Sequence, residues 1–126
     1  MKQSNILVID DSSTNIVLLE AILAEKGYLI DTALSAKEAF VRIAKQLPDL
    51  ILLDLLMPKV NGFDFLEQLR RNDKTRNTPV IVVSALTDEE NINRTFGFGA
   101  VDFVKKPIDI QYLVNRVEKV LQQNAN

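Results

Sequence analysis

Leu50-Ile51-Leu52-Leu53-Asp54-Leu55-Leu56-Met57-Pro58 is the stretch that decides the fold. Its first four residues are apolar without alternation, the pattern of a parallel strand covered on both faces, and the run ends on a carboxylate. Ile6-Leu7-Val8-Ile9 repeats the pattern and ends in Asp10-Asp11. Val80-Ile81-Val82-Val83 ends in Ser84, and the weaker Val101-Asp102-Phe103-Val104 ends in Lys105-Lys106-Pro107. Between the runs the apolar spacing changes to three and four. Ala39, Phe40, Ile43, Ala44 and Leu47 follow a Ser35-x-x-Glu38 capping box and stop at Pro48, which predicts a helix.

The same spacing predicts a helix from about Asn15 to Lys26, carrying Ile16, Leu19, Ile22 and Leu23 and closed by Gly27 in a left-handed cap. Tyr28 to Ala33 reads as a strand. Phe63, Leu66 and Leu69 mark a helix after Asn61-Gly62, Thr87-x-x-Glu90 caps another with Ile92 and Phe96, and a stripe from Ile110 to Leu121 forms the last. Five strands alternate with five helices. Acids interrupt the second strand (Asp31) and the fifth (Asp102), which places these two at the sheet edges. Among the known orders, 2-1-3-4-5 fits that grouping, so the expected fold is α/β: a five-stranded parallel sheet with helices on both faces, doubly wound and flavodoxin-like.

The chain has 126 residues, 47% hydrophobic and 25% charged, the balance of one globular domain. It has no cysteine and no histidine, which removes disulfides, thiolate or imidazole metal sites and every Ser-His or Cys-His catalytic pair. A formal charge of -2 gives no global field to attract nucleic acid or an anionic membrane. The first apolar run, Ile6 to Ile9, is too short for a signal peptide or a membrane span, so a cytoplasmic location is expected. Arg70 to Thr78 is the most polar stretch and reads as a solvated helix end and loop.

In a parallel sheet the C-terminal ends of all strands lie along one edge, and the first and third flank the crevice where the winding reverses. Asp10, Asp11, Asp54, Ser84 and one of the two lysines therefore converge. Taken singly, Asp10 and Asp11 read as helix caps, Asp54 as an Asx-turn, Ser84 as a turn residue and the lysines as solvated groups. Taken together they do not, because independent caps have no reason to meet. Two carboxylates about 5 Å apart repel by roughly 3 kcal/mol at an effective dielectric near 20, so a cation is implied. With only oxygen ligands available, Mg2+ is the first choice and Mn2+ the second. Carboxylate nucleophile, metal, hydroxyl and ammonium are the parts of phosphoryl transfer to an aspartate.

Ile6-Leu7-Val8-Ile9-Asp10-Asp11, Asp54-Leu55-Leu56-Met57-Pro58 with Asn61-Gly62, Ser84-Ala85, Gly99-Ala100 and Lys106-Pro107 resemble the signature elements of the receiver domain of two-component response regulators. The resemblance spans residues 5 to 121 of a single domain taken as 1–126, with no effector domain. It implies that Asp54 is the phosphoacceptor, Asp11 a direct metal ligand, Asp10 a ligand chiefly through water, and the Leu56 backbone carbonyl a further ligand. It also implies that Ser84 and Lys106 bond the phosphoryl group, that Lys106-Pro107 is cis at Pro107, and that Phe103 is the switch aromatic. The implied partners are a sensor histidine kinase or phosphotransfer protein and a downstream effector protein or domain. Phosphorylation would draw Ser84 inward, let Phe103 fill the space vacated, and shift the surface of the fourth helix, fifth strand and fifth helix. That face is also the expected site of any dimer, with Arg94, Arg116, Asp88, Glu89 and Glu90 at its rim. No direct contact with nucleic acid or membrane is expected.

Such a domain catalyses its own phosphorylation and dephosphorylation rather than turnover of a substrate. Serine stands at 84 where threonine is commoner in the family, and phenylalanine at 103 where tyrosine is commoner. Leu56 and Leu86 lie two residues beyond Asp54 and Ser84, positions that in the family influence access of the hydrolytic water; both are apolar here, so the resemblance implies a long-lived phosphoryl group. Thr78-Pro79-Val80 with Gly99 to Phe103 has a weaker resemblance to receivers attached to sensor kinases or nucleotide cyclases. Two alternatives remain: a phosphorylation-independent pseudo-receiver acting as an interaction module, and a flavin binder using Ser12 to Asn15 as a phosphate loop. Asp10 and Asp11 would repel a flavin phosphate, and there is no tryptophan to stack on the ring.

Overall fold

The chain alternates strand and helix throughout: β1 (Asn5–Ile9), α1 (Ser13–Glu25), β2 (Leu29–Ala33), α2 (Ala36–Lys45), β3 (Leu50–Leu53), α3 (Gly62–Arg71), β4 (Val80–Ser84), α4 (Glu89–Gly97), β5 (Asp102–Lys105) and α5 (Ile110–Gln123). This computed structural model describes residues 3–57 and 61–123, so Pro58 of the quoted stretch lies outside the described residues. All strand pairs are parallel and the order is β2-β1-β3-β4-β5, as expected.

Because successive side chains of a strand point to opposite faces, the unbroken apolar runs supply two cores at once. Ile6, Val8, Leu50 and Leu52 pack against α1 and α5, where Leu19 and Val117 are fully buried. Leu7, Ile9, Ile51 and Leu53 face α2 and α3, where Phe65 is also fully buried. The two acid-interrupted strands are the edges: Leu29 of β2 is exposed, and Asp31 lies 3.6 Å from Arg42 of α2.

Helix ends differ from expectation in four places. Ser12 caps α1 by accepting from the Asn15 backbone N–H, so the helix starts at Ser13, two residues before the expected Asn15. Gly27 follows with φ +93°, as expected of a left-handed cap. α2 is capped by Ser35, but Glu38 reaches the N–H of Leu34 rather than that of Ser35, so the box closes one residue early. It ends at Lys45, because Gln46 is already extended and a residue before proline disfavours helix; Leu47 is left exposed. α4 is capped by Asp88, not Thr87. The Asp88 carboxylate takes both the backbone N–H and the side-chain amide of Asn91.

The segment 70–78 is less solvated than expected. The Arg70 guanidinium, half-buried, donates to the carbonyls of Thr75, Arg76 and Thr78 and, across the fold, to those of Phe98 and Gly99, at 2.8 to 3.3 Å. Burial lowers its pKa from the ordinary arginine value. Thr75 is buried, its hydroxyl donating to the Leu69 carbonyl. The last helix runs through Gln123.

Candidate phosphoacceptor site

Sheet register builds the site. Ile9 pairs with Leu53, so the residues that follow, Asp10 and Asp54, leave neighbouring strands side by side, and the Asp54 N–H donates to the Ile9 carbonyl at 3.0 Å. Ser84 pairs with Lys105, and the Lys106 N–H donates to the Ser84 carbonyl at 3.0 Å. The Lys106–Pro107 peptide bond is cis. From there the Lys106 ammonium reaches back to Asp10 Oδ2 at 2.9 Å and Asp54 Oδ2 at 3.0 Å, while Lys105 is exposed.

Asp10 and Asp54 are both buried, and Asp11 is exposed without a hydrogen bond or ion pair among the described residues. One carboxylate oxygen from each of the three lies within 4.8 Å of the others. Asp10 Oδ1 accepts from the Ser12 N–H at 2.9 Å, and Asp54 Oδ1 from the Leu56 N–H at 3.0 Å. Asp54 therefore does form the local turn that its bland reading suggested, and its second oxygen still faces the cluster. Burial alone would lower the pKa of Lys106. The hydrogen bonds and charges of Asp10 and Asp54 outweigh it and hold the ammonium above the ordinary lysine value.

Three carboxylates against one ammonium leave the cluster negative, and the donor set is entirely oxygen. That chemistry fits a hard divalent cation. The Leu56 carbonyl accepts no hydrogen bond among the described residues, which leaves it available as a further ligand. The start of α3 lies close against Leu55, which requires glycine at position 62. The Gly62 N–H donates to the Leu55 carbonyl at 3.1 Å, and a Cβ there would sit 2.5 Å from the Leu55 Cα.

Ser84 is fully buried at the end of β4, its hydroxyl accepting from the Leu86 N–H at 3.2 Å. Phe103, the expected switch aromatic, lies on β5 next to this site. It is buried, at 8% exposure, in the same core cluster as Leu53 and Val82. Two rim residues are otherwise engaged: the Arg94 guanidinium lies 4.1 Å from the centre of the Phe63 ring, turned towards α3, and Arg116 is paired with Asp102. Sequence reasoning gave no role to the Asn15 side chain, which donates to Asp10 Oδ2 at 3.4 Å.

Residues 6–118 match the family described as the response regulator receiver domain. The chain belongs to this family. Response regulator PleD of Caulobacter vibrioides is 38% identical over 117 residues, covering 93% of this chain and 26% of that protein. A probable cyclic di-GMP phosphodiesterase of Vibrio cholerae is 38% identical over 126 residues, covering 100% of this chain and 28% of the other. The crystal structure of a putative response regulator from Chloroflexus aurantiacus superposes with a TM-score of 0.90 at 33% identity, over 96% of this chain and 99% of that one. The chain thus spans about a quarter of the length of the two curated relatives. The receiver domain is the phosphoacceptor switch of two-component systems, and the alternative readings as flavin binder or pseudo-receiver gain no support. No helix among the described residues is long and apolar enough to cross a membrane.

Proposed function

We propose that Asp54 is the residue that receives the phosphoryl group, from a phosphohistidine on a partner kinase or phosphotransfer protein, in the cytoplasm. The observation that carries this reading is the Asp54 carboxylate at the end of β3, buried between Asp10 and the Lys106 ammonium, which is 3.0 Å away. An Asp54 oxygen attacks phosphorus in line as the bond to the imidazole nitrogen breaks; the ring, protonated on its other nitrogen in the phosphohistidine, keeps the electron pair and leaves as neutral imidazole. Lys106 and the Ser84 hydroxyl bond the transferred oxygens, and hydrolysis of the acyl phosphate returns the carboxylate.

Asp10, Asp11, Asp54 and the Leu56 carbonyl would hold Mg2+, or Mn2+ in its place. Bound there, the ion supplies positive charge for the phosphoryl oxygens and relieves the repulsion among the carboxylates. The output is read on the face of α4, β5 and α5, by an effector or a second copy. Exposed Phe96, Val101 and Tyr112 support that use of the face. The phosphoryl group acts by stabilising an arrangement already accessible, through Ser84 and its loop and through Phe103 as the switch aromatic. Intact-mass analysis with acetyl phosphate and Mg2+ tests the assignment: the wild type gains one phosphoryl group and Asp54→Ala gains none. Equal gain by both would overturn it.

A further inference from the structure

We infer that Asn15 is a positioning residue for the metal site: its carboxamide holds Asp10 in the orientation that binds the divalent cation. The inference rests on the site assignment above and adds a residue to it. The backbone of Asn15 is fixed by the cap of α1, its N–H donating to Ser12 Oγ at 3.3 Å, and its side chain is half-buried. Its Nδ2 donates to Asp10 Oδ2 at 3.4 Å, while Asp10 Oδ1 takes the Ser12 N–H at 2.9 Å. Both oxygens of a buried carboxylate are therefore oriented from the first turn of the helix that follows it.

Lys106 also donates to Asp10 Oδ2, at 2.9 Å, but it serves Asp54 as well. Once phosphoryl oxygens arrive at Asp54 they compete for that ammonium. Asn15 is then the side-chain donor with no other acceptor among the described residues, and it stays with Asp10. An amide suits this task because it orients a carboxylate without cancelling the charge that attracts the cation. The neighbouring first-turn residues Ser13 and Thr14 are exposed and make no side-chain hydrogen bond among the described residues. Metal ligands held by an outer hydrogen bond typically lose tenfold or more in affinity when the partner is removed.

The test is calorimetric titration of the metal-free protein with Mg2+ alone, paired with acetyl phosphate reaction rates across a Mg2+ series. Asn15→Leu is expected to weaken Mg2+ binding about tenfold, with the reaction rate recovering at saturating Mg2+. Asn15→Gln, which retains the amide, is expected to fall between Asn15→Leu and the wild type, and Thr14→Ala to match the wild type. A Mg2+ affinity unchanged in a folded Asn15→Leu, or a rate deficit that saturating Mg2+ leaves in place, overturns the positioning role while the site assignment stands. Failure of the wild type to bind Mg2+ overturns both.

Discussion

At the scale of single residues, the site works because ordinary local devices are also placed to do chemistry. Asp54 closes a turn with Leu56, Ser84 closes one with Leu86, and Asp10 receives the N–H of Ser12. Each bond occupies one side-chain oxygen or one lone pair and leaves capacity for the cluster. The two turns also fix Leu56 and Leu86 two residues beyond Asp54 and Ser84, Leu56 half exposed and Leu86 partly buried. Neither side chain offers a hydrogen bond to a water approaching the acyl phosphate. Replacing Leu56 by asparagine supplies an amide that can hold such a water. Decay of the phosphorylated protein, followed after removal of donor, is expected to quicken in Leu56→Asn by on the order of tenfold, equivalent to about 1.4 kcal/mol. An unchanged half-life would show that access of water is set elsewhere.

At the scale of elements, Arg70 joins three segments: the end of α3, the loop to β4 and the turn from α4 to β5. Its planar fork matches carbonyls from several directions, which lysine cannot do. Arg70→Met leaves these acceptors unpaired, and a loss of about 2 kcal/mol is expected from the shift in denaturant midpoint. Arg70→Lys should recover less than half of it, and a loss below about 0.5 kcal/mol in Arg70→Met would contradict the clamp. This residue also marks where sequence reading ended. Strands, helices and their order were legible because unbroken apolar runs and a spacing of three and four are periodic, one-dimensional signals. The partners of Arg70 lie 28 and 29 residues away at Phe98 and Gly99, and nothing local announces them. Asn15 was hidden for a different reason: asparagine near a helix start is common, and only the folded position of Asp10 gives its amide a target.

At the scale of the whole molecule, strand order does most of the work. Asp10 and Asp54 are 44 residues apart and Lys106 is 52 further on, yet parallel pairing of β1 with β3 and of β3 through β4 to β5 brings their ends to one edge. The motif residues were legible because each ends an apolar run. The burial of Phe103 was not, since it depends on the cluster that also holds Leu53 and Val82 rather than on residue type. The same edge carries every group invoked for phosphoryl transfer, so the central claim reduces to which carboxylate becomes phosphorylated. Phosphorylation with acetyl phosphate and Mg2+, reduction of the acyl phosphate with borohydride and sequencing of the peptides locates it directly. The account predicts conversion of Asp54 to homoserine, with Asp10 and Asp11 unmodified; reduction at Asp10 or Asp11, or at no aspartate in a protein that has taken up phosphate, would contradict it.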